Sequence, residues 1–124
     1  MGLTYVNAIV TNPLRPRRRA RVRLLVDSGA IYSVLPQKVW RVLGLKAKRT
    51  VEFDLADGTA IQRGVGQANF IIDGLDAISP VVLGGPVDEA LLGAVTLESM
   101  GFVLNPLSRQ LQPMRMMLAR MRIQ

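Results

Sequence analysis

The chain of 124 residues contains no cysteine and no histidine, and only 5% of it is aromatic. Without cysteine there is no disulfide, no thiolate nucleophile and no thiolate metal site. Without histidine there is no Ser-His or Cys-His couple, and the common zinc constellations lose their usual nitrogen ligand. A hydrolase written in this alphabet must work with carboxylates or lysines, and no metal or other cofactor is expected. The scarcity of aromatics leaves the core to Val, Leu, Ile, Ala and Met, in a chain that is 49% apolar. No window reaches the ~18 uninterrupted apolar residues of a membrane-spanning helix. The N-terminus lacks a basic region followed by an apolar stretch and a cleavage site, and Val6 stands where a myristoylation signal wants Ser or Thr. Cytoplasmic residence is therefore the expectation. The length suits one domain, expected over residues 1–113 with a cationic tail over 114–124.

Arginine, by contrast, is plentiful: it supplies 13 of the 16 cations behind a net charge of +7. Arg15, Arg17, Arg18, Arg19, Arg21 and Arg23 lie together, and Arg115, Arg120 and Arg122 close the chain. Clustered cations gain from counterion release on nucleic acid or from anionic headgroups. A solvated hairpin loop and a solvated tail account for the same clusters without any partner. In the tail, Met114, Met117, Leu118 and Met121 fall at i, i+3, i+4 and i+7, the spacing of a short amphipathic helix. Docking on its own domain or fraying is the expectation for it, with a membrane surface or partner helix as the alternative.

Along the chain, residues 4–12 read as a strand, Pro13 to Arg19 as a proline- and arginine-rich connection, and Ala20–Asp27 as a second strand. The latter changes from alternating to continuously apolar at Leu24-Leu25-Val26, as a strand does on entering the interior. Ser28-Gly29 is a turn signal, and Ile31–Leu35 reads as another short strand. Pro36 suits the first turn of a helix over Gln37–Leu43, closed by Gly44, with Trp40 as a packing residue. Asp57-Gly58 predicts a hairpin between strands 50–56 and 59–66, and Asp73-Gly74 another between 67–72 and 77–83. Gly84-Gly85-Pro86 is a loop; no Lys-Ser/Thr follows to make it a phosphate cradle. A short helix stopped at Gly101 is expected in the second half of Glu89–Met100. A strand at Phe102–Asn105, a turn at Pro106–Arg109 and a brief strand near Leu111 follow.

An aspartate at the end of an apolar strand is costly to bury as a charge unless it is paired or hydrogen-bonded. At Asp27 a hydroxyl is available from Ser28, and Gly29 lets backbone approach closely. Asp-Ser-Gly is also a common way to turn a chain, so the tripeptide alone leaves both readings open. Its surroundings, Leu24-Leu-Val-Asp-Ser-Gly-Ala-Ile-Tyr-Ser-Val-Leu-Pro36, resemble the active-site segment of the retropepsin-like aspartic proteases: an apolar run, Asp-Ser/Thr-Gly-Ala, then Ser/Thr-x-Leu. Ala90-Leu-Leu-Gly-Ala-Val-Thr-Leu-Glu-Ser-Met-Gly-Phe-Val-Leu-Asn105 is similar to the second signature, two apolar residues and a glycine leading into a short helix and a last strand. Leu55-Ala-Asp-Gly-Thr-Ala60 is similar to the flap hairpin of small bacterial members. The resemblance spans roughly residues 4–113 with the motifs in order.

That resemblance implies an all-β fold, a closed β-barrel with a flap hairpin and one short C-terminal helix, active as a two-fold homodimer on peptide or unfolded protein. It implies Asp27 as the catalytic carboxylate, with Ser28 and Gly29 in support. Ala30, Ile31, Tyr32, Asp57, Gly58 and Thr59 are expected against substrate, and Leu91, Leu92 and Gly93 form the second motif. Peptide hydrolysis of this kind needs two carboxylates sharing one proton, since like charges a few ångströms apart cannot both ionise. Asp54, Asp57, Asp73, Asp76 and Asp88 lack the motif, so a single chain has half of such a pair and a two-fold dimer completes it.

The sequence departs from the retroviral pattern at one paired position. An arginine after the second-motif glycine and its aspartate partner are replaced by Ala94 and Ile31, so neither charge is left buried alone. The dimer must then be held differently, with 102–113 as the candidate segment. Two other readings compete: a dimeric peptide-binding module of the same fold in which Asp27 is vestigial, and a basic nucleic-acid-binding β-barrel using Arg15–Arg23. Few aromatics for stacking argue against the last.

Overall fold

A computed structural model describes residues 3–114. Strands β1 (Tyr5–Asn12), β2 (Arg15–Val26), β3 (Ser33–Leu35), β4 (Arg49–Asp54), β5 (Ala60–Ile72), β6 (Leu75–Leu83) and β7 (Leu91–Leu92) form one seven-stranded sheet in the order β1-β2-β7-β3-β6-β5-β4. β1 also pairs with β5, Ile9 to Thr11 lying opposite Ile71 to Asn69. Helix α1 (Gln37–Leu43) follows β3, and α2 (Ala94–Met100) follows β7. Strands β8 (Phe102–Leu104) and β9 (Leu111–Pro113) make a separate two-stranded sheet. The fold is mostly β, as expected, with two short helices. No helix among the described residues is long and apolar enough to cross a membrane. The amphipathic pattern of the tail falls almost wholly outside the described residues.

The core follows the alternation of the strands. Val22, Leu24 and Val26 of β2 face Ala8 and Val10 of β1, Phe70 and Ile72 of β5, and Leu35, Leu43, Val81 and Leu92 around them. Leu24, Leu35, Leu43, Phe70 and Leu92 are fully buried, each stabilising the fold by about 1.5–3 kcal/mol through area removed from water. Trp40 packs on this cluster and donates its indole N–H to the Gly84 carbonyl at 2.8 Å. Asp73 and Gly74 take φ of 51° and 79°, the mirror-image turn that suits a two-residue hairpin between β5 and β6.

Three expected boundaries are corrected. The arginine-rich stretch is strand, not connection: the turn is Pro13-Leu14 alone, and β2 begins at Arg15. Asn12 closes that turn early, its Oδ1 accepting the Leu14 N–H at 2.9 Å and its Nδ2 donating to the Leu43 carbonyl at 2.9 Å. Pro16 is tolerated because β7 meets β2 only at Leu25 and Val26, leaving the edge there without a strand to bond. Residues 59–66 and 67–72 are one strand, β5, because Gly64 and Gly66 mark close approach rather than a turn. A Cβ on Gly66 would sit 2.7 Å from the Lys46 carbonyl oxygen. The strand expected from Ile31 begins at Ser33, since Ala30 and Ile31 give their carbonyls to α2 instead.

Candidate active site

The site is built where three short pieces meet: the end of β2, β7 with the start of α2, and β3. β7 lies between β2, to which it is parallel, and β3, to which it is antiparallel. Asp27 is the first residue past β2, half-buried, and its N–H donates to the Leu92 carbonyl at 3.0 Å. The turn at 27–30 closes on itself: the Ala30 N–H donates to the Asp27 carbonyl at 3.1 Å, and the Gly29 N–H to Asp27 Oδ1 at 3.0 Å. One carboxylate oxygen is thereby fixed by backbone. Ser28 is exposed beside it.

The second motif grips the first from below. The N–H groups of Ala94 and Val95, unsatisfied at the start of α2, donate to the carbonyls of Ala30 and Ile31 at 2.8 and 3.0 Å. Gly93 donates to Ser33 Oγ at 2.9 Å. Its place needs glycine for space, because a Cβ there would lie 2.6 Å from the Tyr32 carbonyl carbon and oxygen. Ser33, Thr96 and Ser79, all fully buried, are chained by hydroxyl hydrogen bonds, Ser33 to Thr96 at 2.5 Å and Ser79 to Thr96 at 2.8 Å. They tie β3, α2 and β6 together. Sequence reasoning assigned no role to this trio, although Ser33 stands in the Ser/Thr-x-Leu signal; three hydroxyls spread over 64 residues give no local pattern.

Beside this loop lies an open cavity of about 610 Å³. Gly29, Ala30, Ile31, Tyr32 and Val34 line one side; Phe53, Ile61 and Arg63 of the β4–β5 hairpin, together with Val82, Val87, Asp88, Glu89 and Leu91, line the rest. Its wall is mostly apolar. Of the residues expected against substrate, Ala30, Ile31 and Tyr32 border the cavity, while Asp57, Gly58 and Thr59 sit at the hairpin tip beyond it. Leu91 borders it, and Leu92 turns into the core.

Two arginines missed from sequence act here, Arg63 in the cavity wall and Arg49 behind Tyr32. Arg63 Nε bonds Asp88 Oδ2 at 2.9 Å, and Asp88 Oδ2 also accepts the Gly85 N–H at 2.7 Å. The Arg63 guanidinium, with that N–H, holds the Asp88 carboxyl below the usual aspartate range. This bond joins β5 to the 84–90 loop across the cavity wall. Arg49 Nη2 donates to the Tyr32 hydroxyl at 2.9 Å, tying the base of the hairpin to the Asp27 loop. At the tip, Asp57 Oδ1 accepts from the Thr59 hydroxyl at 2.6 Å and the Thr59 N–H at 3.0 Å, and these bonds lower the Asp57 pKa.

With the Asp-Ser-Gly-Ala loop, its second-motif clasp and a covering hairpin on one face, the family comparison fits the geometry: residues 18–99 match the model of the "gag-polyprotein putative aspartyl protease" family. The chain belongs to this family of retropepsin-like aspartic proteases. No curated protein sequence matches it. Among solved structures it is similar to the EIAV protease complexed with the inhibitor HBY-793, at 14% identity and a TM-score of 0.62, covering 81% of this chain and 89% of that one. The simian foamy virus (mac) protease aligns at 18% identity and a TM-score of 0.57, covering 77% and 92%. A retropepsin-like aspartic protease from Rickettsia conorii aligns at 23% identity and a TM-score of 0.55, covering 84% and 77%. At such identities the likeness is one of fold.

Proposed function

We propose that the chain is an aspartic endopeptidase that closes its barrel and completes its site as a two-fold homodimer. Each protomer supplies one Asp27. The observation that carries this reading is the Asp27 carboxylate, one oxygen pinned by the Gly29 N–H, set beside an apolar cavity in a chain with a single Asp-Ser-Gly. An isologous interface brings such a residue against its own copy. The pair then carries one proton between its two carboxyl groups. The ionised member takes a proton from a water as that water attacks the scissile carbonyl carbon; the protonated member donates to the carbonyl oxygen. Collapse of the tetrahedral intermediate breaks the C–N bond, with a proton passing to the leaving amine.

The remaining residues fall into supporting places. Ser28, exposed next to Asp27, is free to brace the pair across the dimer axis. Gly29 and the following backbone meet an extended peptide as an added strand. The β4–β5 hairpin serves as the flap, and Phe53, Ile61, Val82 and Val87 favour an apolar substrate side chain. Incubation with an unfolded casein-like polypeptide tests the reading. Wild type should cleave it, and Asp27→Asn should lose at least about a thousandfold in turnover while sedimenting as the same dimer. A wild-type dimer that binds but never cleaves would establish the peptide-binding reading instead, and a stable monomer would remove the mechanism.

A further inference from the structure

Residues 1–26 carry six arginines and no Asp or Glu, so nearly all of the net charge of +7 belongs to one hairpin. In β2 the residues Val22 and Leu24 are buried, and Arg19, Arg21 and Arg23 between and beside them are exposed. They stand opposite Thr11, Ile9 and Asn7 of β1, at intervals of about 6.7 Å, two strand steps. Past the irregularity at Thr11/Asn12, Arg17 and Arg15 continue the exposed series. Arg18 turns away to donate to the Val42 carbonyl at 3.2 Å. Arg23 lies 3.9 Å from the centroid of the Tyr5 ring. Among the described residues none of Arg15, Arg17, Arg19, Arg21 or Arg23 makes an ion pair, and the residues outside that range contain no Asp or Glu.

Like charges along one strand repel one another, and among the described residues only the Tyr5 ring at Arg23 and the Asp73 carboxylate in a depression beside Arg21 and Arg23 stand near to offset this. We propose that the row is a track for the phosphate backbone of a single-stranded nucleic acid, a binding surface separate from the cavity. Every cation in it is arginine, whose planar fork takes two phosphate oxygens at once. An anionic membrane rewards lysine and arginine alike and a continuous flanking apolar surface; here the exposed apolar side chains Leu14 and Tyr5 stand only at the two ends of the row, and opposite its middle lie Asn7, half-buried Ile9 and buried Thr11. A depression of about 540 Å³ lined by Asn7, Ile9, Arg21, Arg23, Ile71 and Asp73 gives room beside the row for a sugar or base. With few aromatics for stacking, such a track relies on phosphate contacts, which carry no sequence information, and binds more weakly than one with stacking platforms. Arg23 stands on β2 four residues before Asp27, so an occupied track would hold the chain close to polypeptides bound to that nucleic acid.

Fluorescence anisotropy with a labelled 20-nucleotide oligouridine, titrated over a range of salt, tests this on the full chain. Five phosphate contacts predict a slope of log K against log salt of about −3.5. R17Q/R19Q/R21Q should reduce it to about −1.4, and K38Q/K46Q/K48Q, which removes the same charge elsewhere, should leave it unchanged. R17K/R19K/R21K should keep the slope and weaken binding at fixed salt, since charge remains and the fork is lost. Should the triple glutamine variant not fold by circular dichroism, single R19Q and R21Q should each lower the slope by about 0.7. Three results would overturn the proposal. One is no binding at 50 mM salt; another is a loss of slope in K38Q/K46Q/K48Q equal to that in R17Q/R19Q/R21Q. The third is tighter, equally arginine-dependent capture by phosphatidylserine vesicles, a duplex of the same length or polyglutamate.

Discussion

The loop at Asp27 and the hairpin tip at Asp57 make the same local turn and differ in everything that surrounds it. In each, the aspartate Oδ1 accepts the N–H two residues on, at 3.0 Å from Gly29 and 3.0 Å from Thr59. At Asp27 the flanking backbone is then bonded outward to Leu92, Ala94 and Val95, residues more than 60 positions away. At the tip the bonds stay within 55–59, Leu55 to Thr59 and Gly58 to Leu55, and residues 54–60 are all exposed. An Asx turn alone therefore fixes nothing in space; long-range hydrogen bonds turn one copy into a rigid platform. The other opens at little cost, as a region with few buried contacts does. The proposed function uses both, one to hold a carboxylate and one to admit and cover a chain.

The sharpest way to break the comparison is to exchange roles. Asp27→Asn should abolish turnover and Asp57→Asn should change it only a few-fold, measured on the same unfolded polypeptide; comparable losses would mean that the tip does chemistry. Next in size is Gly93→Ala. Its methyl must displace the Tyr32 carbonyl, and overpacking against backbone costs about 3 kcal/mol, visible as a lower denaturation midpoint. Because that carbonyl belongs to the Asp27 platform, turnover should fall with it.

Much of this platform was legible beforehand, for a physical reason. Asp27, the β7–α2 start and the Asp57-Gly58 turn are local signals: an apolar run, a glycine, a turn dipeptide. Helix Gln37–Leu43 was readable from Pro36 and Gly44 alone, and the structure ends it there. What joins the pieces was not legible. Arg63 and Asp88, 25 residues apart, meet only because β5 and the 84–90 loop flank one cavity. Ser33, Ser79 and Thr96 read as ordinary strand and helix residues. The start of the arginine row, Arg15 to Arg19, was misread as a connection because proline and charge suggest turns, whereas Asn12 ends the turn after two residues through a bond to Leu43, a contact no window of sequence contains.

Thr96→Val probes that joining directly. It keeps the shape and strands the Ser33 and Ser79 hydroxyls without their shared partner, which should cost about 1–3 kcal/mol. Gly58→Ala is the matching change at the tip. There φ is 89° with open space around it, so only backbone strain of about 1–2 kcal/mol enters. Because the tip is bonded only to itself, that strain should appear as a raised KM and altered hairpin hydrogen exchange, with little change in the global midpoint. A midpoint shift as large as that of Thr96→Val would show the hairpin to be part of the cooperative fold.

The smallest effect concerns the ion pair between β5 of the hairpin and the cavity wall. Asp88 titrates below its ordinary value in the folded chain because Arg63 and the Gly85 N–H favour its ionised form. A depressed carboxyl contributes stability that is fully present above its unfolded value, near 3.9, and is lost as pH falls through the lower folded value. Wild type should therefore exceed Asp88→Asn in denaturation midpoint at pH 6, and the two should converge between about pH 4 and pH 2. Added salt should narrow the gap at pH 6, because both side chains are more than a quarter exposed and partly screened. If the gap instead persists at pH 2, the Arg63–Asp88 charge is irrelevant, and β5 is held at the cavity by its strand pairing.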